Sequence, residues 1–108
     1  MDKKLGKLKN VRFGWGGYDG CQFGLSLMIE GDAWEVGDFR GAWGIDRPEN
    51  AKWTEDDRRN DLVDVALFLR DTLKAAKKMH VEELNGVPVE AMFDGQRLKS
   101  WRVLTEVL

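Results

Sequence analysis

Three stretches interleave glycine with aromatic rings: Phe13-Gly14-Trp15-Gly16-Gly17-Tyr18, Gly37-Asp38-Phe39-Arg40 and Gly41-Ala42-Trp43-Gly44. Rings beside bare backbone can stack on a flat ligand, and glycine lets that ligand lie against the main chain. On this reading Trp15, Tyr18, Trp34 and Trp43 are the stacking rings. Arg40 and Arg47 pair with a phosphate or carboxylate through the planar guanidinium fork. Asp38 accepts from a ribose hydroxyl or a base edge. The ligand class so described is a small nucleotide. The same pattern has a structural explanation. Glycine inside a strand costs about 0.5–1 kcal/mol relative to alanine, and sheets use it for a bulge, sharp coiling or room for a neighbouring ring. The residues alone leave both readings open.

Other chemistries have little to work with. Ser26 and Ser100 are the only serines, and neither sits in a G-x-S-x-G elbow. The single histidine, His80, follows a lysine-rich stretch, where a helix end favours cations. Gly14-Trp15-Gly16-Gly17 is not followed by G-K-[ST], so it is no phosphate loop. Asp32, Glu35 and Asp38 are near one another in sequence, but spacing alone does not make a general acid and base. Cys21 and His80 are the only soft ligands, so neither an internal disulfide nor a zinc site is expected. The chain reads as a non-enzyme without cofactor or metal.

These residues must be positioned by one domain, 1–108, long enough to bury a core of its own. No apolar run reaches 18 residues, which excludes a helical membrane span. No apolar segment follows Met1-Asp2-Lys3-Lys4, so the start does not read as a signal peptide, and a reduced cytoplasm is the expected home. The formal net charge is −2 but is unevenly placed. Residues 1–18 carry five cations and one anion, and residues 19–57 carry three cations and ten anions. Residues 58–80 carry six cations and three anions, and residues 81–108 carry three and five. The acidic middle counts against nucleic acid as a partner.

Alternation predicts strands at 8–18, 21–30, 33–43, 87–93 and 97–108. Cys21, Phe23, Leu25, Leu27 and Ile29 give the cleanest period of two. In the third strand an extra residue at Gly37 would form a bulge that keeps Trp34, Val36, Phe39 and Trp43 on one side. Gly31-Asp32 and Asp94-Gly95-Gln96 supply hairpin turns. Thr54-Glu55-Asp56-Asp57 reads as a capping box opening a helix to about Lys78. Leu62, Val65, Ala66, Leu69, Leu73 and Ala76 form its apolar stripe. Val63, Leu67 and Phe68 widen it, predicting a mid-helix buried on most sides. The fold class is α+β in βββαββ order, an antiparallel sheet with one long helix packed on one face. The other face is left for water or a partner, and exposed tryptophans on it would favour a homo-oligomer.

Three runs carry a resemblance: Leu8-Lys9-Asn10-Val11-Arg12-Phe13-Gly14-Trp15-Gly16-Gly17-Tyr18, residues 34–43 from Trp34 to Trp43, and residues 98–108 from Leu98 to Leu108. Together they resemble a family of small phage and prophage proteins over most of the chain. The resemblance implies a context, counter-defence in an infected or lysogenic bacterial host, and assigns no residue a role. Two forms are expected: sequestration of a nucleotide immune signal, or a protein-binding inhibitor that covers a host defence protein such as a nuclease effector. A third is an accessory factor for phage recombination or replication that touches single-stranded DNA through its aromatic face.

Overall fold

Period-two alternation carries five segments into a single antiparallel sheet in the computed structural model, which describes residues 2–108. The strands are β1 (Asp2–Gly16), β2 (Gln22–Gly31), β3 (Trp34–Trp43), β4 (Pro88–Asp94) and β5 (Arg97–Val103). The helix α1 (Glu55–Ala76) lies between β3 and β4 in sequence. The sheet order is β3-β2-β1-β4-β5, so the first strand is central and the fold is α+β with the helix on one face. No helix among the described residues is long and apolar enough to cross a membrane.

Cross-strand partners share a face. Leu8, Ile29 and Val36 form one such row toward the helix. Val89 pairs Val103, and Ala91 pairs Trp101, extending the same buried face. β1 is shared unequally: residues 2–7 pair with β4, and residues 7–16 pair with β2, with one irregularity. The expected start at residue 8 thus misses a polar half-strand, where Lys3, Lys4 and Lys7 hide the alternation.

The bulge falls elsewhere than expected. β2 and β3 pair without interruption from Gln22↔Trp43 to Gly31↔Trp34, so Gly37 is no bulge. Trp34 and Val36 face the helix, while Phe39 and Trp43 face away. The helix-side positions between them belong to Asp38 and Arg40, which bond beneath the helix. The irregularity lies in β1, where the register passes from Lys9↔Met28 to Arg12↔Ser26. Asn10 takes φ 52, a left-handed conformation that asparagine tolerates. The Val11 N–H freed there donates to Asn85 Oδ1 at 3.0 Å.

The capping box forms as the sequence predicts. Thr54 Oγ1 accepts from Asp57 N at 3.0 Å, and the Asp57 carboxylate accepts from Thr54 N at 2.8 Å. Lys77 closes the helix in the left-handed conformation. Burial of the helix is narrower than predicted. Val65, Thr72 and Ala76 are buried, but Leu62, Val63 and Leu67 stay 37%, 50% and 43% exposed. The molecule is only 20 Å across its shortest dimension, which is one helix on one sheet, so none of the described residues covers the outer face of α1.

The last strand also ends early, at Val103, and Thr105–Val107 form a 3₁₀ turn. The Arg102 guanidinium fork donates to both Glu106 carboxylate oxygens, at 3.1 and 2.9 Å, and to Glu90 at 3.2 Å. The two Arg102 bonds, with a hydrogen bond from the backbone, hold the Glu106 carboxyl down at about 2. A carboxyl lowered in the folded state contributes above its ordinary value near 4.5 and loses that contribution as pH falls toward 2. Carboxyl-carbon NMR is expected to show Glu106 titrating near 2, with Arg102→Ala raising it toward the ordinary range while its backbone hydrogen bond remains. A wild-type midpoint near 4.5 would show the fork to be idle in solution.

Candidate functional site

The seven residues expected to form one site are distributed over the whole molecule. Asp38 and Arg40 lie beneath the helix. Asp38 Oδ2 accepts from the Trp101 indole at 2.8 Å and from Arg40 Nε at 3.3 Å. The Arg40 guanidinium lies 3.9 Å over the Phe68 ring, which meets Trp101 edge-on at 5.5 Å. This is an internal cluster joining β3, β5 and α1. Arg47 is committed to its own loop: Nε donates to the Trp53 carbonyl at 2.6 Å and a terminal nitrogen to the Ala51 carbonyl at 2.9 Å.

Trp34 sits at the Gly31 end of β3, and Trp43 sits at the other end on the opposite face. Nine residues of strand put them roughly 30 Å apart. Trp34 covers the bare Cα of Gly31 and reaches Gly6, so a Cβ at Gly31 would collide with its indole. Phe93 meets it edge-on at 5.4 Å, and the Lys4 ammonium sits over both rings. Trp43 is half-buried opposite Gln22. Most of the glycine–aromatic pattern is therefore the chain stacking on itself.

Trp15 and Tyr18 are the exception. They are 64% and 71% exposed, in and beside the hairpin joining β1 to β2. The Trp15 ring rests on Gly44, where a Cβ would strike it, and Phe23 braces it edge-on at 5.4 Å. Phe23 meets Phe13 in the same way at 5.4 Å, and Phe13 and Ile45 are exposed alongside. The register Phe13↔Leu25 and Trp15↔Phe23 puts these rings on the helix side of the sheet. Arg58 fixes the neighbouring loop by donating to the Ile45 carbonyl at 2.8 Å and stacking 4.6 Å over Trp53.

This aromatic end is the candidate site. Arg47 and Arg58 hold backbone carbonyls, and Arg12 lies on the opposite face. Asp19 is the only charge between Phe13 and Phe23. Phe13, Phe23 and Ile45 were not among the expected site residues. The signal for Phe23 was its position across the hairpin from Trp15. The basic groove at the β1 bulge, about 470 Å³ and lined by Lys7, Lys9 and Arg12, is partly self-neutralised. Lys9 binds Glu30 at 3.0 Å and Glu35 at 3.1 Å, which raises the lysine pKa and lowers that of Glu30. Among the described residues no cluster of histidine, cysteine and carboxylates could hold a metal. No protein-family model, curated protein or solved structure matches this chain.

Proposed function

We propose that this chain is a non-enzymatic binding protein that engages a protein partner through the aromatic end of its β1–β2 hairpin. The observation that carries this reading is the exposed Trp15 braced by Phe23, with exposed Phe13 on the same brace and exposed Tyr18 in the adjoining turn. Tryptophan and tyrosine anchors of this kind dominate protein interfaces when they enter an apolar pocket. Phe23 and Gly44 hold the ring in place beforehand, so little side-chain entropy is lost on docking. Arg47 and Arg58 of the adjoining segment are already bonded to backbone carbonyls, which disfavours their use on a phosphate-bearing ligand here. Of the two counter-defence roles implied by the sequence resemblance, this geometry favours the inhibitor that covers a host protein over the nucleotide sponge.

Pull-down from host lysate tests it. A retained protein is expected, and Trp15→Ala is expected to weaken its binding by about 2 kcal/mol or more, roughly 30-fold. Trp15 is mostly exposed, so the variant should fold, which a thermal melt verifies. A retained partner indifferent to Trp15→Ala and Tyr18→Ala would dispose of the site. A nucleotide at 100 times its Kd adds about 2.7 kcal/mol to a folded protein. A melting rise of roughly 10 °C with a cyclic nucleotide would therefore overturn the reading in favour of the sponge.

A further inference from the structure

The first half of β1 outruns its neighbour. β2 ends at Gly31, and its register with β1 begins at Lys7, so residues 2–6 have β4 on one side and no strand of the described residues on the other. Alternation decides which groups are left there. Leu8 donates to the Val87 carbonyl at 3.0 Å and accepts from Gly86 N at 2.7 Å, so its main chain points toward the β4 side. Successive residues of a strand point opposite ways. Lys7 therefore points away from β4. Its partner there is Pro88, which has no N–H and gives its carbonyl to Leu104 N at 3.0 Å on the far side. Lys3 and Leu5 share the direction of Lys7, so their N–H and C=O groups face the vacant lane.

The lane has a pocket on each face. On the outer face an apolar trough of about 450 Å³ runs over Leu5, Pro88, Leu104 and Val107, with Gly31 at its end. On the helix side Lys4, Trp34 and Phe93 line a hollow of about 190 Å³. The Lys4 ammonium rests there on the two rings, 5.8 and 5.2 Å from their centroids, rather than on a carboxylate. Lys3, Lys4 and Lys7 border the lane. Of the nearby acids, Glu30 and Glu35 are held by Lys9 at 3.0 and 3.1 Å, which leaves Asp2 and Asp32 at its two ends.

We propose that this half-edge receives an extended segment of a partner protein as a further strand, one whose side chains alternate apolar and acidic. Strand addition draws affinity from main-chain bonds and specificity from pockets that take alternate side chains. Both are present here. The main chain of the segment bonds Lys3 and Leu5. An apolar side chain enters the trough beside Leu5, and the acidic side chains before and after it turn to the helix side, toward Lys4. A second copy of this chain is the wrong occupant. The same edge laid antiparallel on itself crowds Lys3 and Lys4 against their own copies, and lysines on an edge are the usual guard against self-pairing. An acidic strand meets the same lysines favourably. Leu5 lies ten residues along β1 from Trp15, roughly 30 Å away, so the inference does not depend on the hairpin reading.

Amide hydrogen exchange followed by NMR reads the lane residue by residue. In the protein alone, the Lys3 and Leu5 amides are expected to exchange at least about tenfold faster than those of Lys4 and Gly6, which point to β4. The probe is a blocked peptide of about eight residues, alternating glutamate and valine. At about 1 mM, against an expected Kd of about 0.1 mM, it should slow exchange at Lys3 and Leu5 by about tenfold. The same peptide N-methylated on its edge-facing residues should protect neither, and nor should one alternating lysine and valine. Lys4→Glu, at an exposed position, should weaken the glutamate peptide by about tenfold, with a thermal melt confirming the fold. Trp15→Ala should leave its binding unchanged. Equal exchange rates across residues 3–6, no protection by the glutamate peptide, or equal protection by the lysine peptide would each overturn the proposal. So would protection that rises with protein concentration in the absence of peptide, which would give the lane to a second copy.

Discussion

Trp101→Ala is expected to cost this fold about 4 kcal/mol, enough to lower its melting temperature by roughly 15 °C. The ring is 9% exposed and sits on the core row with Ala91. Removing it empties the space between β5 and the helix, leaving Phe68 without its edge-on neighbour. It also withdraws the indole N–H that donates to Asp38 at 2.8 Å. Asp38 then keeps only its own-strand partner Arg40, at 3.3 Å, and a three-quarters-buried carboxylate loses its better bond. The two contributions separate cleanly. Trp101→Phe retains most of the ring but not the donor, and should cost about 1–2 kcal/mol, the range for a hydrogen bond to a charged group. Urea unfolding at constant slope measures both. If Trp101→Phe equalled the wild type, the bond to Asp38 would be a passenger and the ring alone would tie the helix side together.

Asp38 and Arg40 also show where the sequence reading stopped. As types, an aspartate and an arginine two residues apart in a glycine-rich strand describe a ligand site. Their register decides otherwise, because it turns both toward the helix, where a tryptophan 63 residues away supplies the donor. Nothing local to residues 37–44 encodes that contact. The misplaced bulge has the same origin. Putting it at Gly37 collected four apolar residues on one face, a good local solution, whereas the uninterrupted register leaves two on each. What was legible was what short-range pattern determines: the alternation of β2, the Thr54–Asp57 box, the helix, the two hairpins and the α+β class. The outer helix face was misread because Val63 and Leu67 look like core when only hydropathy is counted. Burial depends on whether a second layer exists, and the sequence does not state the number of layers. For the hairpin, glycine next to aromatics identified the right region and half of its purpose. Trp34 and Trp15 both lie on glycines, but only Trp15 remains open to a partner.

The glycines themselves divide by the same logic, and this yields the second large effect. Gly24 and Gly41 are cross-strand partners, two pairs in from the Gln22↔Trp43 end of the β2–β3 ladder. A Cβ on Gly24 would collide with the Arg40 carbonyl oxygen and the Gly41 Cα, and one on Gly41 with the Phe23 carbonyl oxygen. The obstacle is backbone, which cannot rotate aside as a side chain does. Gly24→Ala and Gly41→Ala are each expected to destabilise by about 3 kcal/mol, at the upper end for overpacking. The double variant should cost less than the sum, because a strand displaced for one methyl has already made room for the other. Gly16 provides the contrast. A Cβ there would meet the Phe39 ring at 3.4 Å, an ordinary contact. Gly16→Ala should therefore be neutral, or gain up to about 1 kcal/mol from reduced freedom of the unfolded chain. Urea midpoints for the four variants decide it. Comparable losses at positions 16 and 24 would mean that glycine serves this sheet through its flexibility. Losses confined to 24 and 41 would mean that β2 and β3 are held at a separation no side chain fits. That close pairing is what carries Phe23 to the Trp15 ring and Gly44 beneath it, so the same two variants should also loosen the hairpin's aromatic end.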